Sequence, residues 1–118
     1  MKHAALEASG RILIEDVEVG RGALGRMRGY LGRGRPGPGR GLHLAPCGSV
    51  HTFGMRFPLD LIFLSKDGCV CRVVANVVPW RVAWGGWSAT QVIETPAGWL
   101  DLTRLPVGTP VRLNPRAA

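Results

Sequence analysis

The stretch His51–Leu64, with the sequence HTFGMRFPLDLIFL, is the most informative part of this chain. Its second half, Leu59–Leu64, is almost continuously apolar, which is typical of a β-strand covered on both faces. Asp67-Gly68 follows shortly afterwards, and this pair is a strong signal for the turn of a β-hairpin. We therefore predict a buried central strand over 59–64 that pairs with a return strand over Val70–Val78.

Three titratable side chains, His51, Arg56 and Asp60, lie inside this apolar stretch. An unpaired charge in a buried position costs on the order of several kcal/mol, so these groups are expected to have partners. Arg56 precedes Asp60 by four residues, which places both on one side of an unbroken strand, and a bidentate Arg–carboxylate pair would satisfy both. Two interpretations stay open: an internal salt bridge that fixes two strands, or an acid–base or ligand-holding pair in a cleft.

Short segments with strand or turn character follow one another along the rest of the chain. Arg11–Val19 is rich in Ile and Val, which favours a strand, and a final strand is predicted over Val111–Leu113. Helical spacing of apolar residues predicts one short helix over about residues 21–31, and a helical turn is predicted over about 99–105. The fold class is mainly β: a single compact β-barrel-like sandwich of short, mostly antiparallel strands.

The length of 118 residues corresponds to about one domain. We place this domain at residues 11–113, between a flexible N-terminus over 1–10 and a flexible tail over 114–118. No apolar run reaches the ~18 residues that a membrane-spanning helix needs. The N-terminal residues make a poor secretory signal, so the expected location is cytoplasmic.

The net charge of +7 is distributed unevenly, because no acidic residue occurs between Glu18 and Asp60. A basic stripe of this kind suits a polyanion such as nucleic acid, acidic lipid or an acidic protein. A merely solvated face is the alternative interpretation. The arginines of the stripe are Arg21, Arg26, Arg28, Arg33, Arg35 and Arg40.

The three cysteines, Cys47, Cys69 and Cys71, fit a reducing compartment better than a disulfide framework. Together with His51 they offer thiolate and imidazole ligands for zinc, but the spacing is not that of a standard zinc site. We therefore interpret them as small, buried side chains and predict no metal and no cofactor. Because Cys47 precedes His51 by four residues, a cysteine nucleophile with a histidine base is a further alternative.

Glu94, Trp80 and Trp84 complete the set of candidate site residues. Glu94 precedes a Pro-Ala-Gly turn, and its carboxylate either holds this turn or joins a polar cluster with His51 and Arg56. Trp80 and Trp84 belong to an aromatic, glycine-rich loop, where they either pack against the core or line a ligand site.

Four blocks of the sequence resemble the bacterial and archaeal domain-of-unknown-function family 192, an uncharacterised conserved family. The resemblance covers about Val17–Leu113. The blocks are RMRGYLGR (Arg26–Arg33), LAPCGSVHTFGMRFPLDLIFLSKDG (Leu44–Gly68), VIETPAG (Val92–Gly98) and VGTPVRL (Val107–Leu113). The resemblance implies a mainly β, barrel-like sandwich with one short helix and implies no assigned biochemical activity.

Within these blocks, the family pattern maps onto Met55, Arg56, Pro58, Leu59 and Asp60 of this chain. A second pattern maps onto Glu94–Gly98, where Thr95 replaces the apolar residue that is usual in the family. Many relatives carry a signal or lipoprotein segment ahead of the domain, and no such segment is seen here.

From these observations we expect a small β domain that binds a ligand or a partner. His51, Arg56, Asp60 and Glu94 would form a polar cluster at the recognition cleft, rimmed by Trp80 and Trp84. One alternative is a hydrolase or acid–base enzyme that uses the same cluster. Another is an interaction protein linked to secretion or pilus machinery, which would use its basic face.

Overall fold

The computed structural model describes residues 2–19, 30 and 34–116, and the described residues confirm a mainly β fold. They form nine strands and one single-turn 3-10 helix, Leu102–Arg104. The strands are β1 (Lys2–Ala8), β2 (Arg11–Val19), β3 (Arg40–Leu44), β4 (Ser49–His51), β5 (Leu59–Leu64), β6 (Val70–Val77), β7 (Val82–Trp84), β8 (Gln91–Pro96) and β9 (Val111–Pro115). The predicted helix over 21–31 lies outside the described residues, apart from Tyr30.

Seven strands form one curled sheet in the order β6-β5-β8-β3-β2-β1-β9, and β4 pairs with β7 in a separate two-stranded sheet. All pairings are antiparallel except that of β2 with β3. The two edge strands of the large sheet meet where Cys69 forms a bridge with Pro110. Next to it, the Val70 N–H donates to the Thr109 carbonyl at 2.9 Å. The sheet therefore curls far enough for its first and last strands to touch, which gives the barrel-like shape.

The strand predicted from the opening stretch is β5, and every one of its six residues is buried. Leu59, Leu61 and Phe63 pack into one apolar cluster, whereas Ile62 and Leu64 pack into a second. This alternation follows from the two-residue period of a strand. The expectation of a strand covered on both faces is confirmed.

The predicted hairpin between β5 and β6 is also confirmed. The Gly68 N–H donates to the Ser65 carbonyl at 3.0 Å, and the Ser65 N–H donates to the Cys69 carbonyl at 2.9 Å. Gly68 adopts a φ of +85°, a conformation that only glycine reaches without strain. The turn therefore needs the Asp-Gly pair that the sequence supplies.

Strands occupy both ends of the described part of the chain. Lys2–Ala8 forms β1, which lies between β2 and β9 in the sheet. Its inward residues are Ala4, Leu6 and Ala8, and alanine carries little strand propensity, so the sequence pattern is weak there. At the C-terminal end, β9 continues to Pro115, which is the cross-strand partner of Ala4 in β1.

Two segments, 82–84 and 99–105, differ in detail from the structure that the sequence predicts. The helical turn expected over 99–105 is present as the shorter 3-10 turn Leu102–Arg104. The Trp-rich segment expected to be a loop contains β7, which pairs with the equally short β4. Strands of three residues carry too little periodicity to be recognised from sequence alone.

Candidate functional site

Asp60 lies on β5 with only 3% of its surface exposed, and its carboxylate accepts two backbone hydrogen bonds. One comes from the Asn76 N–H at 2.8 Å and the other from the Gly98 N–H at 3.3 Å. Asn76 lies in a β-bulge of β6, where the register shifts between Leu59 and Leu61, and Gly98 lies in the turn after β8. A bulge leaves a backbone N–H without a ladder partner. The Asp60 carboxylate provides that partner and ties the bulge to the turn.

Arg56 does not pair with Asp60, so the predicted Arg56–Asp60 salt bridge is wrong. Arg56 is exposed, and among the described residues it forms no ion pair with that carboxylate. The reason is that β5 begins only at Leu59, after Pro58. The same-face argument for residues four apart therefore does not apply to Arg56.

Glu94 is buried on β8, but it faces the opposite side of the sheet from Asp60. Glu94 has Leu42 and Leu61 as its cross-strand partners, whereas Asp60 has Thr95. Directly opposed residues in an antiparallel ladder share a face, so the two carboxylates are on different faces. The expected single cluster of His51, Arg56, Asp60 and Glu94 does not form.

An open cavity of about 410 Å³ lies beside Asp60. Asp101 borders the same cavity and caps the 3-10 turn, because its carboxylate accepts hydrogen bonds from the Thr103 N–H at 3.1 Å and the Thr103 hydroxyl at 2.6 Å. These two bonds from Thr103 hold the pKa of Asp101 below its usual value. The cavity is lined by Pro58, Asp60, Ala75, Asn76, Ala97, Gly98, Leu100, Asp101, Leu102 and Thr103.

His51, Trp80 and Trp84 lie elsewhere, on an exposed surface that we call the aromatic face. Trp80 is 66% exposed and Trp87 is 94% exposed, which is unusual for the largest apolar side chain. The ring of Phe53 stacks on Trp80 with centroids 5.8 Å apart, and it lies 5.3 Å from the ring of His51. The aromatic face consists of His51, Phe53, Trp80, Val82, Trp84 and Trp87.

The pairing of β4 with β7 determines which side chains form the middle of the aromatic face. His51 pairs with Val82 and Ser49 pairs with Trp84, and all four residues are exposed. Between them, Val50 pairs with Ala83, and both are buried. Successive side chains of a strand point to opposite faces. Val82 and Trp84 are two residues apart, so both point to the face that is exposed to solvent.

Thr52 fixes the segment that carries Trp80. It is fully buried, and its hydroxyl donates to the Val78 carbonyl at 2.7 Å while it accepts from the Arg81 N–H at 2.8 Å. The Trp80 N–H donates to the Thr52 carbonyl at 3.1 Å. The aromatic face is thus built on a fixed backbone.

Two arginines bind backbone carbonyls of the aromatic face. Arg81 donates through Nη1 to the Trp80 carbonyl at 3.3 Å, and Arg72 donates through Nη1 to the Trp84 carbonyl at 3.0 Å. Both arginines are exposed. The segments that form the face, 49–53 and 78–87, contain no Asp or Glu. The aromatic face is therefore both apolar and positively charged.

The sequence analysis selects His51, Trp80 and Trp84 as candidate site residues and does not select Thr52, Phe53 or Trp87. One signal was available, because Trp80, Val82 and Trp84 recur at every second residue, as on one face of a strand. The role of Thr52 depends on a partner segment that starts 26 residues later in the chain, at Val78. No local pattern contains that information.

Cys47 is a thiol in a setting that disfavours the thiolate. Burial raises its pKa, and the negative charge of Glu94 raises it further, although a hydrogen bond at Ser49 acts in the opposite direction. Its Sγ donates to the Ser49 carbonyl at 3.1 Å, whereas His51 projects onto the aromatic face. A reactive cysteine needs a stabilised thiolate, so this environment does not favour a nucleophile.

The three cysteines are free, and burial also raises the pKa of Cys71. Over residues 2–19, 30 and 34–116, no three His, Cys, Asp or Glu side chains come together in a way that could hold a metal ion. In the same part of the chain, no helix has the length and apolar character needed to cross a membrane.

Only two arginines of the predicted basic stripe, Arg35 and Arg40, belong to the described residues. Arg35 donates to the Ala97 carbonyl at 2.8 Å, and Arg40 lies 3.4 Å from the carboxylate of Asp16. Both are therefore engaged within the fold. Arg21, Arg26, Arg28 and Arg33 lie outside the described residues.

Comparisons with known proteins agree with this fold. A family model described as "DUF192: Uncharacterized ACR" matches residues 4–113. A crystal structure of a protein of unknown function from Novosphingobium aromaticivorans aligns with a TM-score of 0.77 and 23% identity, over 93% of this chain and 83% of that one. A structure from Sinorhizobium meliloti, described as a candidate transcription regulator, aligns with a TM-score of 0.77 and 21% identity, over 95% and 92%. At these identities the likeness concerns the fold alone. No curated protein matches the chain significantly.

Proposed function

We propose, from the premise that this chain belongs to the DUF192 family of uncharacterised proteins, that it is a binding module for an anionic partner. Its recognition surface is the aromatic face. The observation that carries this proposal is the exposure of three tryptophans, Trp80, Trp84 and Trp87, on one side of a small domain.

Exposed aromatic residues of this number favour binding over a purely structural role. A contiguous exposed apolar patch on a monomer marks an interaction site more often than chance. Tryptophan is also among the residues that contribute most to binding, because it buries a large area with few rotatable bonds. Core packing does not account for Trp87, whose side chain is 94% exposed.

The positive charge of the aromatic face indicates that its partner carries negative charge. Arg72 and Arg81 bind the backbone carbonyls of Trp84 and Trp80, and no carboxylate lies in the segments that form the face. The net charge of +7 adds a long-range attraction for anions. A partner that presents negative charge next to apolar surface matches both properties.

A small-ligand site beside Asp60 is the second candidate. The supporting observation is that a buried carboxylate borders an open cavity of about 410 Å³. Such a site would favour an amine or a guanidinium group. Titration of the protein with ethylamine and with guanidinium, followed by NMR, tests it: the amides of Asn76 and Gly98 should shift first because they donate to Asp60. Unchanged amides would exclude this candidate.

The other roles and the location that the sequence suggests stay predictions. A ligand-binding role of Arg56 and Glu94 is one of them. The hydrolase or acid–base enzyme that uses the polar cluster and the nucleophile role of Cys47 are two others. The same holds for a basic-face protein of secretion or pilus machinery, for affinity of the arginine stripe for polyanions, and for a cytoplasmic location.

The experiment compares binding of three anionic probes by the wild-type protein and two double variants. The probes are vesicles that contain phosphatidylglycerol, a single-stranded oligothymidylate and a polyglutamate peptide. The variant Trp80→Ser/Trp87→Ser removes exposed rings from the aromatic face. The matched control Ile12→Ser/Val107→Ser removes two exposed apolar residues elsewhere, which are 50% and 73% exposed.

The proposal expects at least one probe to bind the wild-type protein and the control. The face variant should bind that probe roughly tenfold more weakly or worse, because a buried large apolar side chain contributes about 1.5–3 kcal/mol. Absence of binding to all three probes, or equal binding by all three proteins, would contradict the proposal.

A further inference from the structure

We infer that the partner of the aromatic face is the surface of a lipid bilayer with anionic headgroups. This inference rests on the proposed function, since it names the partner of the same surface. Two properties of the described residues distinguish a lipid surface from other anionic partners: the chemistry of the exposed apolar groups and the position of the arginines relative to them.

The exposed apolar groups include aliphatic as well as aromatic side chains. Val82 is 66% exposed and lies on the same side of the β4–β7 ladder as His51 and Trp84. Nucleic-acid bases stack on aromatic rings and gain little from an isolated aliphatic side chain. The boundary between headgroups and acyl chains accepts both kinds, and tryptophan is enriched there in membrane proteins.

The rings of the aromatic face already use some of their π surfaces on one another. Phe53 and Trp80 stack at an interplanar angle of 25° with centroids 5.8 Å apart. Trp84 and Trp87 meet edge to face at 86°, with centroids 4.9 Å apart. A base-stacking platform needs free ring faces, whereas insertion into lipid needs only apolar area. The mutual contacts therefore favour lipid over single-stranded nucleic acid.

Both arginines are bound to the backbone of the aromatic face and not to its rings. The guanidinium of Arg81 binds the backbone carbonyl of Trp80, and that of Arg72 binds the backbone carbonyl of Trp84. Each charge is thus held at a backbone carbonyl, whereas the side chains of Trp80 and Trp84 are 66% and 46% exposed. If the rings insert among the acyl chains, the guanidinium groups lie at the depth of the lipid phosphates, where anionic headgroups attract them.

Co-sedimentation of the full chain with vesicles tests this inference. One vesicle population contains phosphatidylcholine alone, and the other contains phosphatidylcholine with phosphatidylglycerol. We expect binding to the anionic vesicles that weakens as salt is added. Trp87→Ser should reduce the partition coefficient roughly tenfold or more, and Arg81→Gln should reduce it about fivefold.

Matched substitutions outside the face serve as controls. Val107→Ser removes an exposed apolar residue, and Arg11→Gln removes an exposed arginine from β2. Both should leave vesicle binding nearly unchanged. Losses as large as those of Trp87→Ser and Arg81→Gln would overturn the assignment of lipid binding to the aromatic face, as would equal binding to neutral and anionic vesicles.

Oligothymidylate and polyglutamate, measured in parallel, separate the two proposals. If either of them binds through Trp87 and the anionic vesicles do not, the lipid assignment is wrong while the binding face stands. If none of the three probes binds, both proposals fail. Vesicle binding that depends on Trp87 and Arg81, with weak binding of the two soluble probes, supports both.

Discussion

Asp60 on β5 and Glu94 on β8 lie on neighbouring strands, yet their side chains project to opposite faces of the sheet. Asp60 is opposite Thr95 and Glu94 is opposite Leu61, so a register difference of one residue separates the two carboxylates. Asp60 accepts hydrogen bonds from the backbone of a bulge and a turn. The charge of Glu94 acts on Cys47 on the other face. The two acids therefore have separate roles.

Replacement of Asp60 by Asn should destabilise the fold by about 1–3 kcal/mol, because the two oxygens of the buried Asp60 side chain accept from two backbone N–H groups and an amide keeps only one of these oxygens. The free energy of unfolding in urea measures this. Asp67→Asn is the matched control, because Asp67 is exposed in the β5–β6 turn, and it should change stability by much less. Equal effects of the two substitutions would show that the Asp60 hydrogen bonds do not stabilise the bulge and the turn.

Cys47 should react slowly with iodoacetamide, because burial and the charge of Glu94 raise the pKa of its thiol. At pH 8 its labelling should be slower than that of an unstructured cysteine peptide. Glu94→Gln removes the nearby charge and should speed up the labelling of Cys47 a few-fold, whereas Glu15→Gln, at an exposed position, should not. Peptide mass spectrometry follows the reaction. Rapid labelling of the wild-type Cys47 at neutral pH would revive the nucleophile interpretation.

Asp16 should contribute to stability only above acidic pH. His3 donates to its carboxylate at 2.6 Å, and Arg40 and Arg116 lie within 3.4 and 3.5 Å. The hydrogen bond from His3 is the main reason why the pKa of Asp16 lies below its ordinary value of 3.8, and the nearby positive charges add to it. A lowered folded-state pKa means that the stabilisation is present above the unfolded-state value and is lost as pH falls through the folded-state value.

We therefore expect Asp16→Asn to cost up to about 1 kcal/mol at neutral pH, as for an exposed ionic network. This difference from the wild-type protein should shrink towards zero as the pH falls below 3.8. Urea unfolding of both proteins over a pH series measures it. A difference that stays constant with pH would mean that ionisation of Asp16 contributes nothing.

Gly85→Ala should destabilise the protein by about 1–3 kcal/mol through overpacking. A Cβ atom at this position would lie 2.3 Å from Cδ1 of the buried Phe63 ring and 2.7 Å from Cβ of Ala89. Gly37→Ala is the control, since a Cβ there meets nothing within 4 Å. Thermal unfolding measures both. If Gly85→Ala is as stable as the control, the close packing of the β7 end on the core is wrong.

The sequence predicts the β5–β6 hairpin and the mainly β fold because these depend on local patterns. The apolar run Leu59–Leu64 and the Asp67-Gly68 turn each carry their own signal. The resemblance to family 192 rests on motifs around the same strand, and the family match confirms it. β1 escaped prediction because Ala4 and Ala8 are weak strand formers, and pairing with β2 and β9 fixes them.

The candidate site was predicted only in part. The sequence pattern groups Arg56, Asp60 and Glu94 because all three are charged residues in or near apolar strands. Their grouping in space depends on where β5 begins and on the register between β5 and β8. Single-sequence reasoning does not locate a strand boundary or a register to one residue, and a shift of one residue reverses the face. His51, Trp80 and Trp84 come together because β4 pairs with β7, a contact between distant segments.

The most direct test of the central claim is the tryptophan emission of the protein when it is mixed with anionic vesicles. Trp80, Trp84 and Trp87 are exposed on the aromatic face, so their transfer from water to lipid should shift the emission to shorter wavelength. Lipid with brominated acyl chains should then quench that emission, and Trp87→Phe should reduce the change. Emission that stays at the wavelength of the free protein, with no quenching by brominated lipid, would contradict docking of the aromatic face on a bilayer.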